Sequence, residues 1–70
     1  MRRTYVRSSN LRSVGYDASR STLEIEFRDG GIYQYFGVPA GVYSELMAAG
    51  SKGGYFARVI RDRYEYALVA

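Results

Sequence analysis

The sequence predicts an α+β domain: a three-stranded antiparallel β-meander, two short helices packed on one face of it, and an extended C-terminal tail. Three observations carry this. Apolar and polar residues alternate along Thr22-Leu23-Glu24-Ile25-Glu26-Phe27-Arg28, the period of a strand with one dry and one wet face. Asp29-Gly30-Gly31 follows at once, a hairpin turn between two strand-like runs. Beyond Pro39 the apolar spacing changes to that of helices. With 70 residues the chain has room for one domain, placed at residues 9–70, behind a flexible basic arm at residues 1–8.

The first strand spans Leu11 to Asp17. Strict alternation puts Val14 and Tyr16 inward with Arg12, and Leu11, Ser13, Gly15 and Asp17 on the other side. Asp17-Ala18-Ser19-Arg20 reads as a turn into the second strand, whose Leu23, Ile25 and Phe27 face the core. The third strand covers residues 32–36, and the hairpin register decides where its rings go. A two-residue loop at Asp29-Gly30 would place Tyr33 and Tyr35 on the wet face, opposite Glu26 and Glu24. A three-residue loop, Arg28-Asp29-Gly30 with Gly30 as a bulge, pairs Ile25 with Tyr33 and Leu23 with Tyr35. The second is favoured, because it buries two large rings and leaves Gln34 outside. Pro39 suits the first turn of a helix over residues 40–49, with Val42, Tyr43, Leu46 and Met47 on one face. Gly50 closes that helix and Ser51 can cap a second, from about Gly54 to Asp62. Its Phe56, Val59 and Ile60 share a face opposite Arg58 and Arg61. Residues 64–69 are extended, with Tyr64, Tyr66 and Leu68 on one side.

Composition excludes several kinds of chemistry. Without cysteine there is no disulfide frame and no thiolate, and without histidine the commonest general base and metal ligand is missing. Carboxylates are not clustered for an oxygen-only metal site. No apolar run approaches the ~20 residues of a membrane span, and no signal-peptide core follows the N-terminal arginines. The expectation is a cytoplasmic, non-catalytic binding module with no cofactor, no metal and no membrane partner.

Charge is unevenly distributed. Residues 1–12 carry Arg2, Arg3, Arg7 and Arg12 with no acid, and residues 52–63 carry Lys52, Arg58, Arg61 and Arg63 against Asp62. Acids prevail between them, and the net charge is +3. Basic ends that meet in the fold would form the positive footprint of a nucleic-acid binder, whereas scattered ends would be ordinary solvated surface. Nine of the ten cations are arginine, which pairs with phosphate through two N–H groups and stacks on bases.

Read in order, several short motifs resemble the KTSC domain: Ser8-Ser9-Asn10-Leu11 with Ser13-Val14-Gly15-Tyr16, Phe27-Arg28-Asp29-Gly30 before Tyr33-Gln34-Tyr35, Val38-Pro39 with Val42-Tyr43, Ser51-Lys52-Gly53 with Tyr55-Phe56, and Ile60-Arg61 with Tyr64. The resemblance runs from about Ser8 to Val69. Two departures stand out: Gly54 doubles the glycine after Lys52, and Glu65 stands where the family would have proline. The resemblance implies a small bacterial domain that occurs alone or at the C-terminal end of some lysyl-tRNA synthetases, and for which RNA binding has been suggested.

The candidate nucleic-acid contacts are Arg7, Arg12, Lys52, Gly53, Gly54, Arg58 and Arg61. Around Gly50-Ser51-Lys52-Gly53-Gly54, free N–H groups and Lys52 would suit an anion, though the same glycines serve a plain interhelical turn. Tyr33 and Tyr35 are either core rings or a base-stacking platform; the hairpin register favours the core. Glu24 and Glu26 read as a wet strand face. The expected partner is RNA, transfer RNA or single-stranded. The alternative is a protein docked on the apolar sheet edge or on Ile32 and Phe36.

Overall fold

In a computed structural model describing residues 1–70, the alternating segment becomes the middle strand of a five-stranded antiparallel sheet. The strands are β1 (Thr4–Tyr5), β2 (Leu11–Asp17), β3 (Thr22–Phe27), β4 (Ile32–Phe36) and β5 (Tyr66–Leu68), adjacent in chain order. The α+β class holds; the sheet has five strands rather than three. The two additions come from the segments expected as arm and tail. Thr4 and Tyr5 pair with Val14 and Ser13, and Tyr66 to Leu68 pair with Tyr35 to Tyr33. β1 is too short to display a period of two, and the expected extension of residues 64–69 does not by itself show that they pair with β4. Pairing with a neighbouring edge satisfies their backbone groups all the same.

The hairpin adopts the bulged register. The Gly30 N–H donates to the Phe27 carbonyl at 2.9 Å and the Phe27 N–H to the Gly31 carbonyl at 2.8 Å. Gly30 sits at φ +105, a region that favours glycine. Ile25 therefore pairs with Tyr33 and Leu23 with Tyr35.

Strand β2 departs from strict alternation. Leu11 pairs with Phe27 but Ser13 with Glu26, so Arg12 is an extra, bulged residue. The bulge shifts the parity, and Leu11 and Val14 are both fully buried. This corrects the expectation that Leu11 faces away from Val14.

Helix α1 (Ala40–Ala48) follows Pro39, and its Leu46 enters the core. Its Tyr43 stacks on Tyr16 of β2 with centroids 4.9 Å apart, while the Tyr16 hydroxyl donates to the Val38 carbonyl at 2.6 Å. Helix α2 (Lys52–Tyr55) begins at Ser51, whose Oγ accepts from the Gly54 N–H, and it continues into a π-helical turn, Phe56–Ile60. The core gathers between these helices and the sheet around Leu23, Ile25, Tyr35, Leu46, Phe56 and Ile60. No helix is long and apolar enough to cross a membrane.

The opposite face of the sheet is not simply wet. Arg2 and Arg3, just before β1, lie over it, and Glu24 is only 7% exposed. Arg3 forms an ion pair with Glu24 and donates through Nε to Ser13 Oγ at 2.8 Å. Ser13 Oγ donates to Glu26 Oε1, and Gln34 Nε2 to Glu24 Oε1, both at 2.9 Å. Close approach requires Gly15, because a Cβ there would lie 2.5 Å from the Arg2 carbonyl oxygen. The wet-face reading of Glu24 fails because Arg3, 21 positions earlier, closes over it, a long-range contact that local periodicity does not encode. Burial pushes the Glu24 carboxyl up, but the Gln34 amide and the Arg3 guanidinium outweigh it and hold the group below its ordinary 4.5.

Candidate functional site

The helices do not cover the whole sheet. Antiparallel partners share a face, so Tyr66 and Leu68 of β5 stand beside Tyr35 and Tyr33 on the helix-bearing side. Tyr66 and Leu68 nonetheless remain 59% and 62% exposed. Between the π turn and this edge lies a groove of about 690 Å³. Its floor is aromatic: Phe27, Tyr33, Tyr35, Phe56 and Tyr66. Tyr66 lies 5.9 Å from Tyr33 and 5.6 Å from Tyr35, centroid to centroid, and Tyr35 meets Phe56 edge-on at 5.4 Å. The rim carries Ser9, Asn10, Arg28 and Asp29 from the loops beside the hairpin, and Arg61 and Asp62 after the π turn.

Local chemistry positions the rim. Ser8 Oγ accepts from the N–H groups of Asn10 and Leu11, folding the segment into a turn. Arg28 ties to that turn twice, donating its backbone N–H to the Asn10 carbonyl at 2.9 Å and its Nε to the Ser8 carbonyl at 2.7 Å. Gly53 packs against the same turn; a Cβ on it would come within 3.2 Å of Asn10 Nδ2. Residues 8–10 and the start of α2 thus meet.

The π turn explains how Arg61 reaches the groove. In an α-helix, five residues advance about 140° beyond a full turn, so Arg61 would point well away from Phe56. Here the Arg61 N–H donates to the Phe56 carbonyl, the i→i−5 bond of a π-helix, which brings residue 61 back toward residue 56.

The sequence candidates separate accordingly. Arg61 and Gly53 line the groove. Arg58 does not share that position; it is exposed beside Gly54, its Nη1 3.3 Å from where a Gly54 Cβ would be. Lys52 turns back, donating through Nζ to the Ala49 carbonyl at 3.2 Å. At Gly54 the backbone N–H is taken by Ser51 Oγ, and the Tyr55 N–H by the Ser51 carbonyl. Arg12 lies on the other face, 4.0 Å from Glu26, and Arg7 is exposed in the segment after β1. Sequence reading missed Arg28 and Tyr66. The alternation of residues 64–69 placed Tyr66 on one side of the tail, but only its pairing with Tyr35 identifies that side.

Of the two debated rings, Tyr35 is core at 4% exposure, while Tyr33 is half-buried and forms part of the groove floor. Burial, reinforced by Tyr33 and Tyr66, pushes the Tyr35 phenol up to about 12. The Tyr55 phenol, pushed to about 12 by burial and by its hydrogen bond to Glu45, lies away from the groove. Both keep their protons near neutrality; Tyr35 acts through its ring contacts and Tyr55 through its hydrogen bond to Glu45.

A family model for the KTSC domain matches residues 7–64. A protein of Stutzerimonas stutzeri is 41% identical over 64 residues, covering 91% of this chain and 90% of its own length. A lysine–tRNA ligase of Trichormus variabilis is 40% identical over 58 residues, which are 83% of this chain but 10% of the ligase. The crystal structure of a KTSC domain protein from Yersinia pestis superposes with a TM-score of 0.96 at 40% identity, covering 99% of this chain and 97% of that one. With the family model spanning most of the chain and the fold reproduced from end to end, the protein belongs to the KTSC domain family.

Proposed function

We propose that this protein is a non-catalytic RNA-binding module whose contact surface is the aromatic groove between the π turn and β5. The observation that carries the reading is the juxtaposition of half-exposed tyrosine rings with the guanidinium groups of Arg28 and Arg61. Rings offer flat faces for bases and guanidinium groups offer paired donors for phosphate. The net charge of +3 favours association with a polyanion, and kinship with part of a lysine–tRNA ligase agrees with an RNA partner. The decisive experiment titrates labelled transfer RNA and single-stranded RNA into the protein at several salt concentrations. Affinity should fall as salt rises, because bound phosphates release counterions. Absence of binding at low salt overturns the proposal.

A second reading is favoured by one different observation. Strand β5 is one of the sheet's two outer strands, and Tyr66 and Leu68 are exposed along it, with Val69 just beyond. Such an edge can accept a strand from a protein partner. Co-purification that survives nuclease and high salt would support this reading over the first.

A further inference from the structure

We propose that the groove holds an unpaired stretch of RNA by stacking a base on Tyr66, with Tyr33 beside it, and that the module therefore selects single strands over duplexes. This deepens the RNA-binding reading and rests on it. Tyr66 is the exposed ring of the tyrosine cluster, standing free on its solvent side while Tyr33 and Tyr35 support it from β4. A base in a duplex has its faces covered by its neighbours and cannot use such a ring; an unpaired base can.

Electrostatics at the rim points the same way. Arg28 and Arg61 are matched there by Asp29 and Asp62, so the groove has no large positive field. Asp29 Oδ1 already accepts from the Gly31 N–H, and Asp62 lies 4.0 Å from Arg61. Arg28 spends its Nε on the Ser8 carbonyl, which orients the rest of the guanidinium without neutralising it. Two phosphate contacts are the most this rim supplies, and stacking carries the remainder. A duplex binder relies on a broad track of phosphate contacts, which the placement of Lys52, Arg12 and Arg58 away from the groove does not provide here.

The test compares a labelled 12-nucleotide single-stranded RNA with a blunt RNA duplex of the same sequence. Each is titrated by fluorescence anisotropy into the unmodified protein, Tyr66→Ala, Tyr66→Phe, Arg61→Gln and the double variant Lys52→Ala with Arg58→Ala. Thermal melting confirms that each variant folds. The single strand should bind at least tenfold tighter than the duplex. Tyr66→Ala should lose about 5- to 150-fold, equivalent to ~1–3 kcal/mol for one stacked base, while Tyr66→Phe keeps the affinity. The logarithmic salt slope should be no steeper than about 1.4, two contacts at ~0.7 each, and Arg61→Gln should halve it. The Lys52/Arg58 double variant should bind as the unmodified protein does. RNA binding that is equal for duplex and single strand, or unmoved by Tyr66→Ala, overturns the stacking site and leaves the RNA reading standing. No binding of either RNA at low salt overturns both.

Discussion

The two outer strands of the sheet are finished in opposite ways. At the N-terminal edge, Tyr5 of β1 is 75% exposed, but Arg3 and the Arg2 backbone just before β1 are clamped onto the sheet. Arg3, Ser13, Glu24, Glu26 and Gln34 form one connected polar network, and Gly15 is bare so that the Arg2 backbone can touch the sheet. At the C-terminal edge, β5 is held by its ladder to β4 and by flanking backbone bonds from Phe36 to Glu65 and from Val69 to Ile32. Its Tyr66 and Leu68 are large and open to solvent, and Tyr66 belongs to the ring cluster that lines the groove. A buried polar network stabilises only when every member is satisfied, which suits a structural closure. Rings left mostly open beside cations bury little area for folding and suit recognition. The difference gives one edge a structural closure and leaves the other open for the proposed contact.

The largest expected effect lies where the C-terminal edge enters the core. Tyr35→Ala removes a ring packed on Phe56 and Tyr66 and should cost ~3–5 kcal/mol. A chain of this size holds about 4–10 kcal/mol in total, so the variant should lose its cooperative thermal transition. A Tyr35→Ala protein that melts normally would place Tyr35 with the binding residues instead of the core.

Next comes the N-terminal edge. Gly15→Ala puts a methyl against the Arg2 carbonyl, a backbone atom that can move only if the whole crossing segment moves. A loss of ~1–3 kcal/mol is expected, with faster amide exchange at Thr4 and Tyr5 and little change in the core strands. Unchanged protection at those two amides would show that the crossing segment is not held by close contact.

The smallest effect is electrostatic. The Glu24 carboxyl is held below 4.5 in the folded protein, so its contribution is complete above that pH and is lost as pH falls toward the folded value. Glu24→Gln should cost about 1–2 kcal/mol near neutrality, less than a fully buried pair because Arg3 stays partly exposed. The same substitution should flatten the decline of stability below pH 4.5, read from urea midpoints across pH. Parallel pH profiles for the two proteins would remove Glu24 from the clamp.

Local pattern was enough for the middle of this molecule. The alternation of residues 22–28, the Asp29-Gly30-Gly31 turn and the helical spacing after Pro39 determine the central hairpin, its bulged register and α1. Each depends on neighbours within a few positions. The family resemblance was legible in the same way, through short motifs kept in order along the chain. Tertiary structure alone decided the rest. The bulge at Arg12 turns Leu11 inward because Phe27 and Ile25 are there to receive it together with Val14. Arg3 finds Glu24 across 21 positions, and Tyr66 finds Tyr35 across 31. The π turn swings Arg61 toward the groove while Lys52 and Arg58 go elsewhere. Contacts between residues so far apart leave no periodicity in the sequence, because their geometry exists only once both partners are anchored to the same sheet. The folded clamp and the open groove are such contacts, so the basic residues that composition grouped together were divided between clamp, groove and open surface only by the fold.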